Sequence, residues 1–446
     1  MSDKPSTKPA RGTRDFLPDD LRRREYVINV VRDVYRRYGF EPLETPAFEN
    51  IETLMGKYGE EGNQLIFKIL KRGEHEKTGE ADLALRYDLT VPLARVVAEY
   101  QGQLPTLFKR YQIQPVWRAD RPARGRFREF YQCDIDATGS TSPVVEAEIL
   151  GAVSEILETL GFTDFKIRLN HRRVLTALLE SAGIPQSLHG DALVALDKLD
   201  KIGADGVFKE FAARGIPEDA GVKALSYFVA SAPETPGETL ARLGGILAGN
   251  EALMNLVEIN MLAASTPAAG RITLDPSLAR GLSYYTGAIM EIAVEGIGSL
   301  GGGGRYDNLV GMFLGRDVPA CGFSLGLERI IVVMTEREMF PSSVVHSAVD
   351  VVVTFLSDIS RTQALRLAQE LRQAKYRVDV FPDAARKFDK PLKYASTRGA
   401  RVMAIFGDNE VANGEASIRN LETREQSSVP RAAAVAAIAR TLNPAP

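Results

Sequence analysis

Between Asp20 and Tyr38 the apolar positions Val27, Val30, Val31, Val34 and Tyr38 recur at the spacing of one helix face, and Gly39 follows where a left-handed cap belongs. The pattern predicts an amphipathic helix. A second stripe, Val145, Ile149, Val153, Ile156 and Leu160, closes in the same way at Gly161. The text between them is different. Phe40 to Phe48 contains Pro42 and Pro46, which cannot donate to a sheet ladder and so suit an edge strand or an interface. Leu107 to Asp136 reads as strand, basic loop, strand: apolar and aromatic at Tyr111 to Trp117, turn-rich at Arg121 to Gly125, aromatic again at Phe127 to Tyr131. A long hairpin is expected.

Beyond Phe165 the chain turns rich in Ala, Leu and charge at helical period as far as Ala269, and this stretch is expected to be a helical insertion. Strand-like segments return at Arg271 to Leu274 and Tyr284 to Val294. A four-glycine turn follows, then Gly322 to Met334. After a short linker near Pro341 to Ser347, strand and helix patterns alternate: Val349 to Phe355, Gln363 to Ala374, Val378 to Phe381, Leu392 to Thr397 and Val402 to Phe406. Alternation of that kind implies a small α/β domain. The expected division is 1–165 and 271–340 as two parts of one domain, 166–270 as the insertion, and 347–446 as the tail domain.

The length of 446 residues exceeds what one core usually organises, and 45% hydrophobic with 25% charged residues is globular rather than disordered composition. Fifty-five Lys and Arg against 58 Asp and Glu leave a net charge of -3, so a polyanionic partner must be met by local basic patches. Two cysteines, Cys133 and Cys321, fit a reducing compartment and all but exclude zinc held by thiolates. No apolar run approaches the roughly 18 residues of a membrane span, and the first residues lack the apolar stretch of a secretory signal. The expectation is a cytoplasmic protein without a membrane segment.

Candidate chemistry falls into four segments. Arg118, Arg121, Arg124, Arg126 and Arg128 face a single acid, Asp120, in the hairpin loop. The planar guanidinium fork grips phosphate, and Trp117, Phe127, Phe130 and Tyr131 offer faces for a base. A solvated loop without ligand is the alternative. Arg280 stands beside Gly281 and the pair Tyr284 and Tyr285; in a strand such neighbours point to opposite faces, so one of the two is expected in a given pocket. Gly301 to Gly304 lets a backbone approach a ligand closely. No P-loop spacing occurs, so an ATP site must be built otherwise. Gly322-Phe323-Ser324-Leu325-Gly326 matches the nucleophile elbow of hydrolases, but only His346 follows Ser324, and the acids between them are crowded into one predicted helix. In the tail, Ala384 to Arg401 carries Arg386, Lys387, Lys390, Lys393, Arg398 and Arg401, either a nucleic-acid surface or a solvated face.

In order along the chain, these segments resemble the histidyl-tRNA synthetase family of class II aminoacyl-tRNA synthetases. Arg11-Gly12-Thr13-Arg14-Asp15 through Pro46 is similar to its dimer-forming first motif. Leu85 to Thr90 is similar to a substrate-holding segment, Arg118 to Asp136 to the second motif, and Gly322 to Arg329 to the third. Arg280-Gly281-Leu282 with Tyr284-Tyr285, and Gly303-Gly304-Arg305-Tyr306-Asp307, resemble the two signatures peculiar to the histidine enzymes. Tyr87-Asp88, where the commonest bacterial pattern has Pro-Glu, and Asp134, near which it has glycine, are closer to the eukaryotic form.

The resemblance implies an α+β catalytic domain, with an antiparallel sheet flanked by helices, a helical insertion and a C-terminal α/β anticodon-binding domain, assembled as a homodimer. It implies ligation of L-histidine to tRNA(His) through an adenylate, with ATP as substrate and Mg2+ on its phosphates. Arg118 would hold the α-phosphate, Arg280 would sit on its other side, and Arg329 would hold the far phosphates. Asp88, Thr90, Gln132, Asp136, Tyr284 and Tyr285 would surround histidine, with Asp88 and one tyrosine reading the imidazole. Arg121, Arg124, Arg126, Arg386, Lys387 and Lys390 would meet tRNA. The alternative is a non-catalytic regulatory subunit of ATP phosphoribosyltransferase, which looks like the catalytic core without the tail domain.

Overall fold

The expected hairpin is the spine of the larger sheet: strands Phe108–Trp117 and Glu129–Thr138 pair antiparallel in unbroken register, from Phe108 opposite Thr138 to Trp117 opposite Glu129. The structure is a computed structural model and describes residues 6–73, 78–229, 234–279, 284–294, 296–345, 349–384 and 388–443. Across the ladder the order is Glu41–Pro42, Phe108–Trp117, Glu129–Thr138, Ala320–Gly326, Gly298–Arg305, Ala288–Val294, Phe165–His171 and Ile272–Leu274. The inner strands are antiparallel, and the outermost strand on each side is added in parallel. Pro42 lies on the edge, where its missing N–H costs no ladder bond.

Alternation along Glu129–Thr138 sorts its two faces. Cys133, Ile135 and Ala137 are buried on the side of helices Pro18–Arg37, Val144–Thr159 and Leu327–Glu336. The first of these has Pro at its start, Asp19 and Asp20 in its first turn and Arg36 and Arg37 in its last, all complementary to the helix dipole. Its buried Tyr35 donates its hydroxyl to the Cys133 carbonyl at 3.0 Å. Gln132, Asp134 and Asp136 take the opposite face and line a cavity.

Two expectations are corrected here. Phe165–His171, taken as the start of the helical stretch, is a strand of the main sheet with Phe165, Ile167 and Leu169 buried. The helices begin at Arg172 and run through Arg172–Ala182, His189–Leu196, Leu199–Ala213, Glu218–Phe228, Pro236–Ile246 and Glu251–Ala263. Gly301 to Gly304, expected to form a turn, lie inside the strand Gly298–Arg305. Side chains are excluded there: a Cβ on Gly303 would stand 2.2 Å from the Gly322 carbonyl oxygen, and one on Gly301 would stand 2.5 Å from that of Ser324.

The chain divides into two compact units, Met1–Met339 and Phe340–Pro446. In the second, Val378–Val380, Val351–Phe355 and Val402–Phe406 are parallel, and Glu415–Asn420 and Gln426–Pro430 continue the sheet antiparallel. Val351–Phe355 and Val402–Phe406 are buried throughout, because apolar layers cover both faces of the sheet.

Arg305 holds the main sheet to a helix. Its Nε and Nη2 donate to the two carboxylate oxygens of Glu146 at 2.6 and 2.8 Å, with both side chains almost wholly buried. Removing Glu146 leaves the buried Arg305 with only its longer pair to Asp307, at 3.3 Å. Glu146→Ala is therefore expected to lower the unfolding free energy by about 3 kcal/mol, read by urea denaturation; a change below about 0.5 kcal/mol would show that Arg305 finds another anion or water.

Candidate active site

The cavity on the sheet has a volume of about 500 Å³ and is lined by charges of opposite sign. Asp88, Asp134 and Asp136 stand among its walls with Tyr284, Tyr285 and Tyr306, and Arg118, Arg126 and Arg329 stand among them with Phe127 and Phe130. The glycine strand contributes Gly301 to Gly303 to the lining, which keeps the space above it open.

Each buried acid is held by donors. Asp88, 1% exposed, lies between strand Ala81–Leu85 and helix Thr90–Glu99. Its Oδ1 accepts the Tyr58 hydroxyl at 3.0 Å and the Val91 N–H at 3.1 Å, and its Oδ2 accepts the Tyr284 hydroxyl at 3.4 Å. Asp136 accepts the Tyr306 hydroxyl and stands 2.9 Å from Arg110 Nη2. Arg110 is fully buried and also donates to the Leu89 carbonyl at 3.1 Å. Desolvation raises the pKa of both carboxyls, and Arg110 opposes it in both. Glycine at 322 makes room: a Cβ there would stand 1.9 Å from Asp136 Oδ1.

Arg118 lies with its guanidinium 4.2 Å from the Tyr87 ring centroid and 5.2 Å from that of Phe130. Its Nε donates to the Tyr87 carbonyl at 3.0 Å, and its terminal nitrogens take no protein partner among the described residues. A guanidinium so oriented presents two donors to an incoming anion. Arg329 Nη1 donates to the Ser299 carbonyl at 2.5 Å. Arg126 pairs with Asp120 at 3.0 Å and Arg124 pairs with Glu336, whereas Arg121 is exposed.

Thr90, the first residue of helix Thr90–Glu99, also lines the cavity. Both tyrosines of the pair line the cavity, against the expectation of one. They precede the strand Ala288–Val294, so strand alternation does not separate them, and their rings meet edge to face at 5.3 Å. Lys390 is exposed on helix Asp389–Thr397 of the second unit. Arg280, Arg386 and Lys387 lie outside the described residues.

Other residues of the singled-out segments are structural. Arg86 is buried and donates to the carbonyls of Thr45, Pro46 and Pro115 and to Gln114, pinning the proline-rich edge. Glu328 accepts Arg24 Nη2 at 2.5 Å and the Tyr131 N–H at 3.1 Å. Ser324 sits inside strand Ala320–Gly326, not on a sharp strand-to-helix turn, and accepts the Gln132 amide at 2.9 Å; among the described residues no histidine lines the cavity, and His346 is outside them. That geometry gives no nucleophile elbow. Sequence reasoning passed over Tyr58, Arg110, Asp134 and Tyr306 as site residues. Period-two alternation from Gln132 through Asp136 was the signal for Asp134.

The family model described as Histidyl-tRNA synthetase matches residues 12–330, and one described as Anticodon binding domain matches residues 350–441. A histidine-tRNA ligase of Gloeobacter violaceus is 43% identical over 97% of this chain and 98% of its own length. The chain belongs to the histidyl-tRNA synthetase family. The crystal structure of the histidyl-tRNA synthetase from Nostoc sp. PCC 7120 superimposes with a TM-score of 0.82 at 31% identity, covering 98% of this chain and all of that one. A structure titled as an ATP phosphoribosyltransferase regulatory subunit/histidyl-tRNA synthetase from Bacillus halodurans C has a TM-score of 0.73 at 20% identity, covering 91% and 99%, and shares the fold. Membership gives the cavity its frame: the segments that resemble the second and third motifs supply two of its walls, and Gly301 to Gly303 with Tyr306 supply a third.

The close fit of Asp136 against position 322 is open to test. Gly322→Ala is expected to cost roughly 1–3 kcal/mol through overpacking, seen as a lowered urea midpoint. An unchanged midpoint would mean that the strands part without strain.

Proposed function

We propose that this chain activates L-histidine with ATP to a histidyl-adenylate and transfers the histidyl group to tRNA(His), releasing AMP and pyrophosphate. The observation that supports it best is the division of charge in one cavity, acids and phenols on one part of its lining and arginines with aromatic faces on another. A zwitterionic amino acid and a polyphosphate nucleotide need that pairing.

In this reading the α-ammonium of histidine meets Gln132, and the imidazole lies among Tyr284, Tyr285 and Tyr306 with Asp136, Asp88 and Thr90 around it. A ring N–H needs an acceptor there, and a side chain lacking one leaves a buried carboxylate without its partner. Arg118 takes the α-phosphate, Arg280 its other side and Arg329 the far phosphates. Attack of a carboxylate on the α-phosphorus brings two anions together in line, so the residues must align and neutralise rather than remove a proton. ATP arrives as its Mg2+ complex, whose metal supplies further charge neutralisation. Among the described residues no group of three or more His, Cys, Asp or Glu is placed to hold a metal ion.

The exposed Arg121 and Lys390, with Arg124, Arg126, Arg386 and Lys387, are proposed to meet tRNA phosphates. The Glu41–Pro42 edge and the half-exposed Phe48 are proposed to face a second copy of the chain. No helix of the described residues is long and apolar enough to cross a membrane, and a cytoplasmic site of action suits a tRNA substrate. The regulatory-subunit alternative is less supported, because the match at 350–441 adds the anticodon-binding domain.

Histidine-dependent exchange of pyrophosphate into ATP tests the reading: the purified protein is expected to exchange with histidine and with no other standard amino acid. Absence of exchange would reject it. Arg118→Ala is expected to lower exchange at least about a hundredfold, the scale of one lost preorganised donor. A chain ending at Met339 is expected to retain exchange and to charge tRNA far more slowly, since a macromolecule held at two points loses the effective concentration of linked binding. Undiminished charging by that chain would remove the second unit from tRNA recognition.

A further inference from the structure

The loop between strands Phe108–Trp117 and Glu129–Thr138 has to keep its arginines together. Arg118, Arg121, Arg124, Arg126 and Arg128 repel one another with only Asp120 among them. The ion pairs Arg124–Glu336 and Arg126–Asp120 join largely exposed arginines, so they hold the loop weakly. Backbone bonds close its base: the Arg118 N–H donates to the Arg128 carbonyl at 2.9 Å, and the Ala119 N–H donates to the Leu65 carbonyl at 2.8 Å. Its far part reaches the cavity. Gly125, Arg126 and Phe127 stand in the lining, and a Cβ on Gly125 would lie 3.6 Å from Arg329 Cγ.

The segment before helix Pro18–Arg37 meets this loop at two points. The Arg128 N–H donates to the Gly12 carbonyl at 2.8 Å. Gly12 has φ +87°, and a Cβ on it would meet Arg128 Cγ at 2.7 Å. Two residues on, the Arg14 guanidinium lies 4.1 Å from the Phe127 ring centroid and 4.5 Å from that of Phe16. The Phe16 centroid in turn lies 3.7 Å from the guanidinium of Arg24, which is buried and paired with Glu328. Cation and ring thus alternate from the helix scaffold to the cavity wall, in the order Arg24, Phe16, Arg14, Phe127. A guanidinium over an aromatic face is attracted by the ring's quadrupole, the more strongly where water is excluded. Gly12, Arg14 and Phe16 lie outside the cavity lining, and the assignments above give none of them a role in binding.

We propose that Arg14, acting through Phe127, and Gly12, acting through Arg128, are positioning residues that strap the basic loop at the nucleotide part of the cavity. The proposal rests on the reading that the arginines of this part bind ATP. It gives the N-terminal segment a duty in nucleotide affinity, separate from the dimer-forming one that its resemblance implies. A strapped loop meets the polyphosphate already ordered, whereas a released loop must be gathered against its own repulsion at each binding event. The cost therefore falls on ATP. Histidine, placed among the acids and tyrosines, is spared.

The test uses full-length protein and measures the Michaelis constants for ATP and for L-histidine in pyrophosphate exchange. Tryptic cleavage after Arg124 and Arg126 in the absence of ligands is a readout independent of activity. Arg14→Ala is expected to raise the constant for ATP about fivefold or more, the scale of one desolvated cation–π contact, and to leave that for histidine within about twofold. Gly12→Ala, a second variant at the other point of attachment, is expected to act in the same way. Both should speed cleavage at least about threefold, because local opening sets the rate. In a Phe127→Ala background, Arg14→Ala is expected to add less than about twofold to the ATP constant. Equal changes in both constants, an unchanged ATP constant, cleavage at the wild-type rate, or full additivity with Phe127→Ala would each overturn the proposal. Wild-type protein without histidine-dependent exchange fails the reading beneath it, and the cleavage rates then still decide whether the strap holds the loop.

Discussion

Three carboxylates, Asp88, Asp134 and Asp136, are buried around one cavity with a fully buried cation, Arg110, near them. Taking even one such charge from water is costly, and like charges nearby add to the cost. Much of the surrounding structure offsets it. Tyr58, Tyr284 and the Val91 N–H donate to Asp88, and Tyr306 and Arg110 serve Asp136. These donors come from distant parts of the sequence, so the acid-lined cavity exists only when the sheet has closed. What remains unsatisfied is an appetite for a cation with N–H groups, which is the form in which an amino acid presents its amine.

The same sheet carries the opposite charge without neutralising the acids. Arg118, Arg126 and Arg329 are placed by the hairpin loop and by the helix that follows Ala320–Gly326, and among their partners are carbonyls, aromatic faces and Asp120. Glycines supply the open floor: at 301, 303 and 322 a Cβ would meet backbone oxygens or Asp136 itself. A cavity with acids and arginines in separate places can bind two substrates of opposite local charge side by side. The buried Arg305–Glu146 and Arg24–Glu328 pairs belong to the scaffold that holds the strands and helices in place.

Local pattern carried much of this. The stripes at Val27 to Tyr38 and Val145 to Leu160 became the helices Pro18–Arg37 and Val144–Thr159, and both closing glycines have positive φ. The hairpin and the alternating tail were legible for the same reason. Gly301 to Gly304 were not, because the reason for glycine inside that strand is the approach of another strand, which no local window contains. Phe165–His171 was absorbed into its helical neighbourhood although its buried residues alternate. Asp88, Asp136 and the tyrosines were legible through family motifs. Asp134 stood between Gln132 and Asp136 on the same face and was noticed only as a departure from the bacterial pattern. Tyr58 and Arg110 carry no motif, and only the closed sheet shows that their side chains end on the acids.

The central claim is that one part of the cavity binds histidine and another binds ATP. Calorimetric titration of each ligand separately into Asp136→Asn and Arg118→Ala tests it most directly. The expected pattern is crossed: Asp136→Asn weakens histidine by tenfold or more with ATP nearly unchanged, and Arg118→Ala weakens ATP with histidine nearly unchanged. Loss of both ligands by either variant, in protein that remains folded, would contradict the division of the site.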